Sequence, residues 1–113
     1  MTLTQTEAFV LTLLIEGAAA FLLAPRFKVN SWRAAAAAVI GSAISHPVFW
    51  PSTFALFGWL GPFTVPILEA AVILFESVGY RLIATRSWRN AVILSALVNF
   101  LSWLVGFLVQ GFR

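Results

Sequence analysis

Apolar residues in this chain come in blocks of helix length rather than in the sparse i, i+3, i+4 stripe of a helix with one wet face. Four such blocks cover about residues 3–24, 32–50, 64–85 and 88–110. About 20 apolar residues cross the hydrocarbon core of a bilayer as a helix. Each block is near that length, and the pieces between them are short. The pattern predicts an all-α membrane protein: a single domain over 1–113 whose four transmembrane helices form an up-down bundle.

The breaks between blocks carry their own signals. In the first block the clean apolar run begins at Ala8, so the span needs residues 3–7 to continue the helix at the interface. No positive charge precedes it and Glu7 stands where one would, so it reads as a spanning helix rather than a signal peptide. Residues 25–31 form a basic loop, after which Asn30 or Ser31 can cap helix 2. Ser45-His46-Pro47 is expected to kink or break that helix, because Pro47 cannot donate to the Ala43 carbonyl and disfavours helical dihedrals at His46. Residues 49–65 have no charge and hold the aromatics Phe49, Trp50, Phe54, Phe57, Trp59 and Phe63. They fit an aromatic belt at the bilayer surface, or helix 2 continuing past a kink. Pro66 suits the first turn of helix 3.

Composition narrows the class further. Hydrophobic residues make up 61% of the chain and charged ones 10%, against roughly 25% charged in a soluble domain. Too few polar groups remain to cover a soluble surface, which leaves the lipid bilayer as the natural surroundings. The net charge of +3 then reads as topology rather than as a nucleic-acid footprint. Arg26, Lys28 and Arg33 lie at loop 1 and Arg81, Arg86 and Arg89 at loop 3; only Arg113 lies elsewhere. The positive-inside rule puts loops 1 and 3 in the cytoplasm of a multi-pass inner or plasma membrane protein, and both termini and loop 2 outside. With no cysteine, disulfides and thiolate metal sites are excluded.

Against this apolar background the intramembrane polar residues stand out. Three of the four acidic residues, Glu16, Glu69 and Glu76, fall inside predicted spans, with His46, Asn99, Ser42, Ser45, Ser95 and Ser102. An ionisable group in a span costs roughly 3 kcal/mol or more on insertion scales, so each needs a partner, a wet cavity or a transport path. Glu69 and Glu76 stand seven residues apart on one helical face, with Tyr80 four further on. Counting ~1.5 Å per residue from the nearest basic anchor gives an outer group (His46, Glu69, Ser102), a central one (Glu16, Asn99) and an inner carboxylate, Glu76. Glu16 has apolar neighbours and no basic residue within reach on its own helix.

One reading makes these groups a ladder of proton- or ion-binding sites, with the break at His46-Pro47 freeing a carbonyl beside it. The other makes them structural: Glu69 sits in the first turn of helix 3, where the helix dipole favours a carboxylate. Glu76 snorkels to Arg81 or pairs with Tyr80, and Asn99 and the serines hold helices together. Helix packing has its own candidates. Ala34, Ala38 and Ser42 repeat every four residues, as do Ala37, Gly41 and Ser45, and Gly106 lies on the polar stripe of helix 4.

No metal site is expected, since one histidine and no H-x-x-x-H or E-x-x-H pair are present, and the residues specify no cofactor. Hydrolase and phosphate-loop signatures are also missing. Three functions compete: a proton- or cation-coupled transporter or ion pathway; a non-catalytic accessory or assembly subunit of a larger membrane complex; and an intramembrane enzyme acting on lipid or quinone. Four helices enclose little space, so the expected state is a homo-oligomer or a subunit of a membrane complex.

Overall fold

In the computed structural model the backbone is described for residues 5–111, and side chains for these except 5, 49–57, 65 and 109–111. The described chain is helical throughout apart from short turns. Helix α1 covers Gln5–Leu23, α2 Ser31–Leu60, α3 Thr64–Ile83 and α4 Trp88–Gly111, with 3-10 turns at Ala24–Phe27 and Gly61–Phe63. Each helix packs on two others: α1 on α2 and α4, and α3 on α2 and α4. With connections this short, neighbours run antiparallel and the four close into a ring. Two of them, over Thr6–Phe27 and Trp88–Leu108, are long and apolar enough to cross a membrane.

The connections show how the chain reverses. After α1, Pro25 suits the first turn of the 3-10 helix, and Lys28 takes a left-handed conformation (φ 57°) that lets Val29 N donate to Ala24 O at 3.0 Å. Asn30 then caps α2, its Oδ1 accepting from Arg33 N at 3.0 Å. The second reversal uses Gly61 at φ +55°, a conformation that favours glycine, and Thr64 Oγ1 donates back to Gly61 O at 2.8 Å. The third is closed by Ser87, whose Oγ accepts from Asn90 N at 3.2 Å. There the Arg81 guanidinium lies 5.5 Å over the Trp88 ring, tying the end of α3 to the start of α4.

Helix 2 departs from expectation. It runs unbroken as an α-helix from Ser31 to Leu60, through His46, Pro47 and Pro51, so it neither breaks at 46–47 nor ends at 50. Each proline forfeits one backbone hydrogen bond, a loss that a helix packed on neighbours tolerates. Residues 51–60 are thus the last part of α2 rather than a surface loop. Phe49, Trp50, Phe54 and Phe57 lie outside the residues whose side chains are described. The expected start of helix 1 at residue 3 lies outside the described residues; the end of α1, the start of α2, both ends of α3 and the start of α4 agree to within two residues.

Size and polarity are distributed inside out. The buried apolar residues are mostly alanines (20, 24, 34, 37, 38 and 91), with Tyr80, Leu94 and Val98 as the large members of the cluster. Eight polar residues, Glu16, Ser42, Ser45, Thr64, Glu76, Ser77, Ser95 and Asn99, are as deeply buried. Large apolar side chains point outward instead: Leu22, Trp32, Trp59 and Leu82 are each more than 70% exposed, at 73, 75, 86 and 76%. Small residues are what permit the close approach. A Cβ at Gly41 would meet Glu76 Cγ at 3.3 Å, and one at Gly17 would meet Val39 Cγ2 at 3.2 Å. At Gly106 nothing lies within 4 Å.

That contrast predicts a difference between two glycines on opposite helices, α2 and α4. Gly41→Leu should destabilise the protein by roughly 1–3 kcal/mol through overpacking, and Gly106→Leu far less. Thermal unfolding of the detergent-solubilised variants measures both; equal losses would contradict the close α2–α3 contact.

Candidate functional site

The two rows of small residues on α2 end in serines that reach different neighbours. Ser42 Oγ donates to Glu16 Oε2 on α1. Ser45 Oγ donates to Glu76 Oε2 on α3 at 2.9 Å. Gly41, one residue before Ser42, leaves the space that the Glu76 side chain fills. From the opposite side of the bundle α4 supplies the matching groups. Asn99 Nδ2 donates to Glu76 Oε1 at 3.2 Å, and its second hydrogen goes to the Ser95 carbonyl at 2.8 Å. Ser102, also on α4, lies within reach of the Glu16 carboxyl group.

Each carboxyl group is therefore held between a residue of α2 and a residue of α4. Glu16 is 3% exposed and Glu76 2%. The charges that act on Glu16 are those of Glu76 and Glu69, and no Lys or Arg side chain pairs with Glu16 or Glu76 among the described residues. Two buried carboxylates without a counter-cation would carry a desolvation cost of several kcal/mol each. Bound protons would remove that cost. Further hydrogen bonds fix the frame: Ser95 Oγ donates to Ile73 O at 2.8 Å across α3–α4, and Ser77 Oγ to the same carbonyl at 2.6 Å.

The other candidates fall elsewhere. Glu69 is exposed and sits in the second turn of α3, not the first, where it lines a shallow cleft with Ile73, Asn99, Phe100 and Trp103. His46 is half-buried, its ring 4.9 Å from that of Phe9. Ser102 belongs with Glu16, so His46, Glu69 and Ser102 do not form one outer group. Glu76 is not a separate inner carboxylate and does not pair with Arg81 or Tyr80. Its side chain reaches Ser45 and Asn99, at the level of Glu16. The reason is the position of the basic anchors: Arg81 lies inside α3, two residues before its end, whereas Arg26 lies three residues beyond the end of α1, so each glutamate is seven residues from the end of its helix. Ala34, Ala38 and Gly41 are buried on α2, and Ser42, on the same row, also serves as a donor to Glu16.

Two residues of the site lacked a strong sequence signal. Ser45 and Ser95 read as generic helix-packing serines, and only the spacing of Ser45 three residues after Ser42 hinted that both serve one layer. Among the described residues no three of His, Cys, Asp and Glu converge on a point.

Removing a carboxyl from this layer should be costly. Glu76→Ala strands the Ser45 and Asn99 donors beside a new cavity and is expected to lose roughly 2–5 kcal/mol, whereas Glu69→Ala should stay within about 0.5 kcal/mol. Denaturant-induced unfolding in micelles checks the pair, and equal losses would place Glu76 outside the core.

No family model, curated protein or solved structure matches this chain, so the chemistry of the Glu16–Glu76 layer carries the functional reading.

Proposed function

We propose that the chain is a multi-pass inner or plasma membrane protein of four spanning helices that conducts protons, or moves a solute coupled to them, through the Glu16–Glu76 layer. The observation that carries this reading is the pair itself: two carboxyl groups, each buried and hydrogen-bonded by hydroxyl or amide donors, with no basic partner among the described residues. A purely structural polar contact needs one carboxyl and a donor; two uncompensated acids in one layer form a proton-exchanging site at a high cost in stability. Membrane residence is supported by the two long apolar helices and by the inside-out distribution of side chains. In lipid, large apolar groups are at no disadvantage outside, and small and polar residues make the helix contacts.

In this reading loops 1 and 3, with six of the seven basic residues at or beside them, face the cytoplasm, and loop 2 and both termini lie outside. The cleft lined by Glu69 and Asn99 gives the layer an approach from the bundle surface, on the side of the outer half of α3 and α4. Further copies of the chain complete the route, because four helices leave little room for one.

Liposomes loaded with a pH-sensitive dye provide the test. Wild-type protein should dissipate an imposed proton gradient, Glu16→Gln should reduce the rate to that of empty liposomes, and Glu69→Gln should retain most of it. Wild-type flux no faster than that of empty liposomes would remove the transport reading. Sidedness has its own check: a reporter fused after Arg113 should be active outside the cytoplasm, and cytoplasmic activity would reverse the orientation.

A further inference from the structure

The two halves of the bundle use the same plan. Glu16 lies seven residues before the last residue of α1, Leu23, and Glu76 lies seven before the last of α3, Ile83. Ser42 stands twelve residues after Asn30, the residue that caps α2; Asn99 stands twelve after Ser87, which caps α4 in the same manner. Three residues further on come Ser45 and Ser102. The difference in Glu-to-partner spacing, 26 against 23 residues, is the difference in length between the two loops. Burial follows the same register: Ala34, Ala37 and Ala38 correspond to Ala91, Leu94 and Ser95, and all six are buried.

The hydrogen bonds obey the same correspondence. Glu16 accepts a hydrogen bond from Ser42 of its own hairpin and has Ser102 of the other within reach. Glu76 is held by Asn99 of its own hairpin and by Ser45 of the other. Exchanging the hairpins maps each contact onto its counterpart, as a two-fold axis along the bundle would. Because Ser42 and Ser45, like Asn99 and Ser102, are i, i+3 neighbours, the two carboxyl groups are bridged on both sides and the contacts close into a ring.

One of the buried positions at which the hairpins differ points to a ligand. Where α1 has Ala20, α3 has Tyr80, both fully buried. The Tyr80 hydroxyl has no hydrogen-bond partner among the described residues, yet lies within the electrostatic reach of both carboxylates. A buried hydroxyl left unpaired costs about 1–3 kcal/mol, which a water or hydronium placed between it and the carboxyl groups would recover.

We propose that the hairpins Gln5–Leu60 and Thr64–Gly111 are structural repeats about a two-fold axis, and that the ring they close, with Tyr80 beside it, is one site at which Glu16 and Glu76 share bound protons. This deepens the transport reading, replacing two independent acids along a path by one coupled site on the axis; parallel repeats of this kind are known in transporters. The groups facing the ring are Glu16 from α1, Glu76, Glu69 and Tyr80 from α3, and only neutral side chains from α2 and α4; His46 stands apart against Phe9.

Infrared titration of the carboxyl bands in the detergent-solubilised full chain tests the proposal. In E16Q the remaining Glu76 band should shift its midpoint by about one pH unit or more from its wild-type position, and in E76Q the Glu16 band should do the same. Y80F should alter both midpoints, and E69Q should move them less than loss of either ring glutamate moves the other. If neutralising either glutamate leaves the other's midpoint unmoved in a folded protein, the shared site is wrong. Exchange of the equivalent donors provides a second arm: S42N/N99S should fold and keep the coupling, and loss of coupling or of folding in that variant overturns the two-fold equivalence. Coupled titration without flux would keep this site and remove transport; flux with uncoupled glutamates would do the reverse.

Discussion

Helix α2 has to lie close to α1 and α3 at once, and the rest of the structure follows from that requirement. Its two rows of alanine, glycine and serine meet both neighbours, and each row ends in a serine that binds a carboxyl group. Without a Cβ at position 41 the Glu76 side chain has somewhere to lie, and with Ser45 it has a donor. Where lipid surrounds the helices, apolar burial gives little preference for one arrangement over another, so close packing and interhelical hydrogen bonds set the register. Deep acids on α1 and α3 restrict it further, because any slip of α2 or α4 would strand a carboxyl group away from its donors. Specificity of this kind costs stability, since apolar residues would serve the core at least as well.

Much of the fold was legible in the residues. Block length and the few charges located the four helices, and the proline and capping residues located three of the turns. Helix 2 was the exception. Proline at 47 marks a helix end in a soluble protein, where water offers the freed carbonyl a partner and nothing holds the two segments collinear. In a packed apolar helix the next turns continue, and the α-helix persists to Leu60.

The site was legible in part, and for reasons that can be named. Glu16, Glu76 and Asn99 were picked out because polar residues in an apolar span need an explanation. Their mutual placement was not, because the basic residues used as depth markers stand at different points: Arg81 inside α3 and Arg26 beyond the end of α1. Measured from the helix ends, Glu16 and Glu76 are at the same depth. Glu69 shows the converse: a helical face shared with Glu76 says nothing about which neighbour stands opposite, and at position 69 the side chain is exposed. Pairing of helices, not periodicity, distinguishes the two.

The central claim is that donors on α2 and α4 hold the buried carboxyl groups in one layer, and a double-mutant cycle across Ser45 and Glu76 tests it most directly. Unfolding free energies of the wild type, Ser45→Ala, Glu76→Gln and the double variant should show a coupling of roughly 1 kcal/mol, within the range measured for interhelical hydrogen bonds in membranes. Strictly additive losses would mean that the two side chains do not meet, and the layer built on them would have to be abandoned.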